Sequence, residues 1–155
     1  MDIRTDDPGL PDVTALLAEH LADMHATSPP DSVHALDVAA LRVPALTFWT
    51  ARRDGELLGC AALKALDPRH GAGHGEVKSM RTTSAARGTG IGRALLRHVI
   101  AEARSRGYRR LSLETGTQDY FAPARGLYRA HGFVACEPFA DYVLDPHSAY
   151  FTLVL

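Results

Sequence analysis

Apolar residues at Val13, Leu16, Leu17, Leu21 and Met24 recur at intervals of three and four. That spacing predicts a helix, with Pro11-Asp12 as its start signal. "TSPPD" breaks the chain, and "SVHALDVAALRV" predicts a second short helix capped by Asp31 or Ser32. The pattern then changes. "LTFWTARR" is rich in β-formers, Asp54-Gly55 follows, and "ELLGCAALKAL" resumes, which together predict a β-hairpin. After the loop "DPRHGAGHG", the weakly alternating "EVKSMRTT" predicts a third strand. Ile91, Leu95, Val99 and Ala103, widened by Leu96 and Ile100, mark one face of a helix that Gly107 ends. "YRRLSLET" predicts a strand, "PARGLYRAHG" a short helix stopped by Gly132, and "FVAC" and "YFTLVL" two closing strands. The order is helices, a β meander, then a βαβ unit. It implies an α/β fold with a mixed sheet, not a continuous doubly wound one.

Bulk properties narrow the classes. The chain of 155 residues suits one domain, 1–155, long enough to bury a core without staples. It is 46% apolar and 23% charged, with a formal net charge of -1, so no global nucleic-acid surface is indicated. Cys60 and Cys136 lie in apolar contexts and are expected as buried free thiols. The polar, acidic start "MDIRTDDPGL" is unlike a signal peptide, and no apolar run approaches about 18 residues. The expectation is a cytoplasmic protein with neither membrane nor nucleic-acid partner. His20, His70 and His74 show no metal-ligand spacing, so no metal is expected.

The chemistry gathers at "RGTGIGRALL", residues 87 to 96. A helix N-terminus offers unpaired N–H groups and partial positive charge, and glycine lets that backbone approach an anion closely. Arg87 and Arg93 add guanidinium groups on either side. The stretch therefore predicts a cradle for a phosphorylated ligand. It sits at the turn from strand 76–83 into helix 91–106, at the carboxyl end of a strand. A Walker loop would need Gly-Lys-Ser/Thr where Gly92-Arg93-Ala94 stands. A dinucleotide fingerprint, with the NAD(P) oxidoreductase it would imply, fits Gly88 and Gly90 but meets Arg93 at its last position. A plain strand-to-helix turn would need neither the third glycine nor the arginines.

Arg87-x-x-Gly90-x-Gly92, followed downstream by Leu127-Tyr128-x-x-x-Gly132-Phe133, resembles the signature of the GNAT N-acetyltransferase superfamily. The resemblance extends over most of the chain, in element order as well as motif. It implies a GNAT-like fold: a central mixed sheet with a splayed strand pair flanked by helices. It implies acetyl-coenzyme A as acetyl donor, its diphosphate on Arg87, Gly88, Thr89, Gly90, Ile91, Gly92 and Arg93. Its pantetheine arm would lie along the backbone of Met80, Arg81 and Thr82, added like a strand to an open edge. By the same resemblance Tyr128 is the acid for the leaving thiolate. Glu76, eleven residues before Arg87, matches the base of histone-acetyltransferase members, with Glu114 in "LSLET" as its rival. Family members often carry Asn where Phe121 stands, a departure that bears on cofactor contacts.

The acceptor site implied by the resemblance lies between the N-terminal helices and the late loops. His25, His34 and Tyr120 are its candidate substrate-binding residues, with Tyr142 and Asp141 as further lining groups. The expected reaction is direct acetyl transfer to a primary amine of a small molecule or amino acid. Its alternatives are a protein or peptide acceptor, and a non-catalytic acyl-CoA-binding sensor. Homodimers are common in the family.

Overall fold

A computed structural model describes residues 1–155. Its strands are β1 (Asp2–Thr5), β2 (Leu46–Arg53), β3 (Glu56–Ala65), β4 (His74–Thr82), β5 (Arg110–Gly116), β6 (Val134–Ala135) and β7 (Ser148–Val154). They form one mixed sheet in the order β1-β2-β3-β4-β5-β7-β6. Only β4 and β5 run parallel; every other pair is antiparallel. The helices are α1 (Pro11–Thr27), α2 (Val38–Leu41), α3 (Ile91–Ser105) and α4 (Ala122–Ala130).

Two apolar layers sandwich the sheet. On one face α3 packs with its predicted stripe: Ile91, Leu95, Leu96, Val99, Ile100 and Ala103 are all buried, beside Leu111, Leu113 and Phe151 of the sheet. A fully buried Leu, Val or Ile contributes roughly 1.5–3 kcal/mol, so this helix anchors the fold through one face. On the other face Val13, Leu16 and Leu17 of α1 meet Phe48, Cys60 and Ala62. The hairpin forms as expected. Asp54 and Gly55 take φ of 51° and 82°, the positive pair that a two-residue turn needs to match strand twist.

Two expectations are corrected, and one strand is added. The segment 33–37 is not helical. A 3₁₀ turn spans Pro30–Ser32, and α2 begins only at Val38, where Asp37 caps it by accepting from the Ala40 amide at 2.9 Å. Ser32 is turned instead toward the Asp145 carboxylate, 2.6 Å away, which ties this segment to the loop before β7. Residues 2–5 form an edge strand too short and too exposed to carry a periodic signal. Cys60 is fully buried as expected, but Cys136 is only half-buried, beside the two-residue edge strand β6. No helix is long and apolar enough to cross a membrane.

Two irregularities in β4 shape the centre of the molecule. It pairs with β5 only from His74 to Glu76, opposite Arg110 to Ser112, and the strands then part. From Val77 onward the β5-facing edge of β4 has no strand partner. On its other side, Ser79 and Met80 together stand opposite Ala61 of β3, forming a β-bulge. Ser79 sits at φ 52°, and its carbonyl accepts from the Cys60 thiol at 3.3 Å. The extra residue reverses the alternation of side chains. Met80 packs with the α3 layer, whereas Arg81 turns to the α1 side.

Candidate active site

The parted strands open a cleft of about 850 Å³ that runs from the glycine loop to the α1 side of the sheet. Gly88 and Gly90 stand at φ 75° and 89°, and the space where a Cβ would project is open at both. The Thr89 hydroxyl donates back to the Ala86 carbonyl, closing the turn. Arg87 and Arg93 are exposed at the rim. Arg87 has only a 4.0 Å approach to Asp23 to occupy it. The N-terminus of α3, open glycine backbone and two available guanidinium groups suit a diphosphate. The unpartnered edge of β4 suits an extended, amide-bearing arm. The residues present therefore fit coenzyme A.

Phe121 stands buried against Gly116, so close that a Cβ on that glycine would lie 2.2 Å from the ring. It meets Tyr120 edge-on at 5.0 Å. The aromatic ring gives the cleft an apolar wall beside Ala124 and Leu127.

Tyr128 projects from α4 into the same cleft and is 8% exposed. Burial, and then the nearby Glu114 carboxylate, push its phenol up to about 12, so it stays protonated. Glu114 projects from β5, beyond the point where β4 and β5 separate. Burial pushes its carboxyl up to about 7, against the opposing pull of Ser148 and Lys78; Glu76 and Asp145 push it further up. This carboxyl changes charge near neutral pH.

Glu76 is placed differently. It is 3% exposed, accepts a 2.5 Å hydrogen bond from the Tyr142 hydroxyl, and lies 3.5 Å from the Lys78 ammonium. Lys78 also donates to Tyr142 and to the His34 carbonyl, each at 3.0 Å. Burial and the Glu76 carboxylate raise the Tyr142 phenol strongly. Glu76 thus knits β4 to the segment at His34 and the loop at Tyr142.

The candidate acceptor residues separate. His34 and Tyr120 line the cleft, whereas His25 is exposed in the last turn of α1 and does not. Asp141 lies 3.7 Å from His70 over a smaller cavity of about 380 Å³, which shares Glu76, Lys78 and His34 with the main cleft. The Arg81 side chain points away from the glycine loop. Its guanidinium meets Glu19 at 2.5 Å, Asp23 at 2.6 Å and the Tyr120 hydroxyl at 3.1 Å, pinning α1 to β4. Lys78 and the Ser79 bulge escaped the sequence reading. A bulge leaves no local signature when the residue at positive φ is not glycine.

The sequence profile of the Acetyltransferase (GNAT) family matches residues 12–133. The chain belongs to this family. It is 51% identical, over 98% of each chain, to a Bacillus subtilis protein named uncharacterized N-acetyltransferase YsnE. It is 42% identical to the IAA acetyltransferase of Azospirillum brasilense, covering 86% of this chain and 82% of that one. Among solved structures, a Klebsiella pneumoniae protein described as a putative acyl-CoA N-acyltransferase superposes with a TM-score of 0.81 at 29% identity, over 99% of this chain and 97% of that one. The protein is an acyltransferase of the GNAT type.

Proposed function

We propose that the protein transfers an acetyl group from acetyl-coenzyme A directly to the primary amine of a small molecule, with Glu114 as general base and Tyr128 as proton donor. The observation that carries this reading is the pairing of those two side chains. Both side chains line the cleft, and beyond burial the Glu114 carboxylate helps raise the Tyr128 phenol. Burial pushes both upward, which leaves Glu114 able to exchange a proton near neutral pH and Tyr128 protonated there.

Acetyl-coenzyme A would supply the activated acyl group. The glycine loop and arginines bind its diphosphate end, and the free β4 edge over Met80 to Thr82 orients the arm. Holding the two reactants together supplies a large part of the rate. Glu114, half ionised near pH 7, takes a proton from the incoming ammonium. Tyr128 donates toward the sulfur. The phenol, raised to about 12, is fully protonated at neutral pH, so its proton is available as charge develops on the sulfur. Glu76, tied to Tyr142 and Lys78, orders the acceptor wall.

The relative that carries the name IAA acetyltransferase supports a small acceptor. The test is a screen of amines with acetyl-coenzyme A, following release of free thiol. Acceptor-dependent thiol release that is lost in Glu114→Gln supports the assignment. Saturable binding of acetyl-coenzyme A without turnover of any amine would indicate a non-catalytic sensor instead.

A further inference from the structure

Of the 17 lysines and arginines in the chain only two are lysines, Lys64 and Lys78. Lys78 is the one primary amine on the walls of the main cleft. Its side chain is 10% exposed, and Nζ donates to the His34 carbonyl and the Tyr142 hydroxyl, each at 3.0 Å. The Glu76 carboxylate stands 3.5 Å away. Arginine would serve better as a mere strut there, because its planar fork holds several acceptors at once, and arginine is the cation this chain uses at nearly every other basic position. Lysine differs in its chemistry: once it gives up a proton it is a nucleophile.

Strand register brings that amine to the reaction centre. Glu76 of β4 pairs in parallel with Ser112 of β5, and the strands then part. Val77 and Leu113 pack into the α3 layer. Their neighbours Glu76, Lys78, Ser112 and Glu114 therefore share the opposite face of the sheet. Lys78 and Glu114 each lie two residues beyond the last pair, and would meet next if the sheet continued. An amine and the proposed base thus flank the opening from its two lips. The charge relation agrees: burial is the chief cause that raises the Glu114 carboxyl, and the Lys78 ammonium opposes it. Lys78 also precedes the free β4 edge, Met80 to Thr82, along which the coenzyme arm is proposed to lie. Its four-carbon stem is flexible enough to turn Nζ from the His34 carbonyl toward an acyl group held between the lips.

We infer that Lys78 is a self-acetylation site: when no amine occupies the cleft, its Nζ takes the acetyl group of bound acetyl-coenzyme A. Glu76 accepts a proton from the Lys78 ammonium 3.5 Å away. The freed nitrogen attacks the thioester carbonyl carbon, so that a C–N bond forms and the C–S bond breaks. The sulfur leaves with the proton of Tyr128, and the second proton lost by the nitrogen restores that phenol. The inference rests on the coenzyme binding of the proposed function, not on its small amine acceptor. Acetylation removes the charge that pairs with Glu76 and opposes the rise of Glu114. Less of Glu114 is then ionised at neutral pH, so an idle cleft acts as its own brake.

Titration calorimetry with acetyl-coenzyme A comes first; an absence of binding would bring down the proposed function and this inference together. The full chain is then incubated with acetyl-coenzyme A and no amine, and acetyl groups are located by intact mass and peptide mapping. Lys64 lies outside the main cleft and Met1 carries an exposed N-terminal amine, so both serve as internal references. Placing amine and thioester in one cleft should make Lys78 react at least about tenfold faster than either reference. Free coenzyme A, competing for the cleft, should slow Lys78 and leave the references unchanged. Lys78→Arg should bind acetyl-coenzyme A and gain no acetyl group beyond the two references. The isolated acetylated protein should show its kcat/KM limb at a higher pH than the unmodified one; a limb that stays put would overturn the brake. Modification of Lys78 in a protein that turns over no added amine would uphold the inference and overturn the small-amine acceptor. Lys78 left unmodified by a protein that binds the coenzyme would overturn the inference, even where added amines react and the proposed function stands. So would Lys78 reacting no faster than the references, or the same preference for Lys78 with acetic anhydride, which needs no binding site.

Discussion

Replacing Glu114 with glutamine should make the protein slower and, above neutral pH, more stable. In the folded protein this carboxyl is raised from 4.5 to about 7, chiefly by burial. In the unfolded chain it ionises at its ordinary value. Between those values the native state holds a proton that the unfolded state has released. Stability from this group is therefore intact below about 4.5, declines as pH rises, and levels off above about 7. At about 1.4 kcal/mol per tenfold, the full loss is about 3 kcal/mol. Glutamine keeps the shape and never ionises, so Glu114→Gln should match wild type near pH 4.5 and exceed it by up to about 3 kcal/mol at pH 8. Denaturant titrations at the two pH values measure this difference. The same substitution removes the proposed base. In wild type the ionised fraction climbs from about a tenth at pH 6 to about nine-tenths at pH 8, so kcat/KM should rise through a limb near pH 7. An alkyl amine's own limb lies higher, at about 10, and an α-amine's at about 8. In Glu114→Gln the lower limb should vanish and the rate fall about 10²-fold or more. A variant that kept both the limb and the rate would refute the role of Glu114. A stability difference indifferent to pH would refute the claim that burial raises this carboxyl.

Tyr128→Phe should lower kcat about 10²-fold while leaving acetyl-coenzyme A affinity within about twofold, measured by steady-state kinetics and calorimetry. Its effect on stability should be small, because no hydrogen bond within the chain contributes to the raised phenol. Gly90→Ala should cost about 1–2 kcal/mol by forcing a Cβ onto a residue at φ 89°, and should weaken acetyl-coenzyme A binding; thermal unfolding and calorimetry report the two effects. Tyr142→Phe leaves buried Glu76 without its hydroxyl partner and should destabilise the fold by about 1–3 kcal/mol in denaturant. The pH limb assigned to Glu114 should survive in Tyr142→Phe; its loss would transfer the base role toward Glu76.

Local pattern determined a great deal of this protein. The α3 stripe was written at helical spacing, and the same six residues are buried. Asp54-Gly55 marked its hairpin because few dipeptides accept two positive φ values in succession. The glycine loop was legible as a turn into α3, and Gly88 and Gly90 there take the positive φ that glycine accepts freely. These features depend on neighbours within a turn or two. What the tertiary structure decided lies between segments distant in sequence. Glu76 and Glu114 are both glutamates in β-strands, equivalent as text. Pairing beside Ser112 and contact with Tyr142 and Lys78 tie up the first, whereas the parting of β4 from β5 leaves the second to the cleft. The bulge at Ser79 decides that Arg81 serves α1 and not the glycine loop, and the Ser32–Asp145 contact draws 33–37 out of the helix its composition favoured. In each case a side chain's surroundings, which set its charge and direction, come from strand register and loop docking, and no window of neighbouring residues contains them.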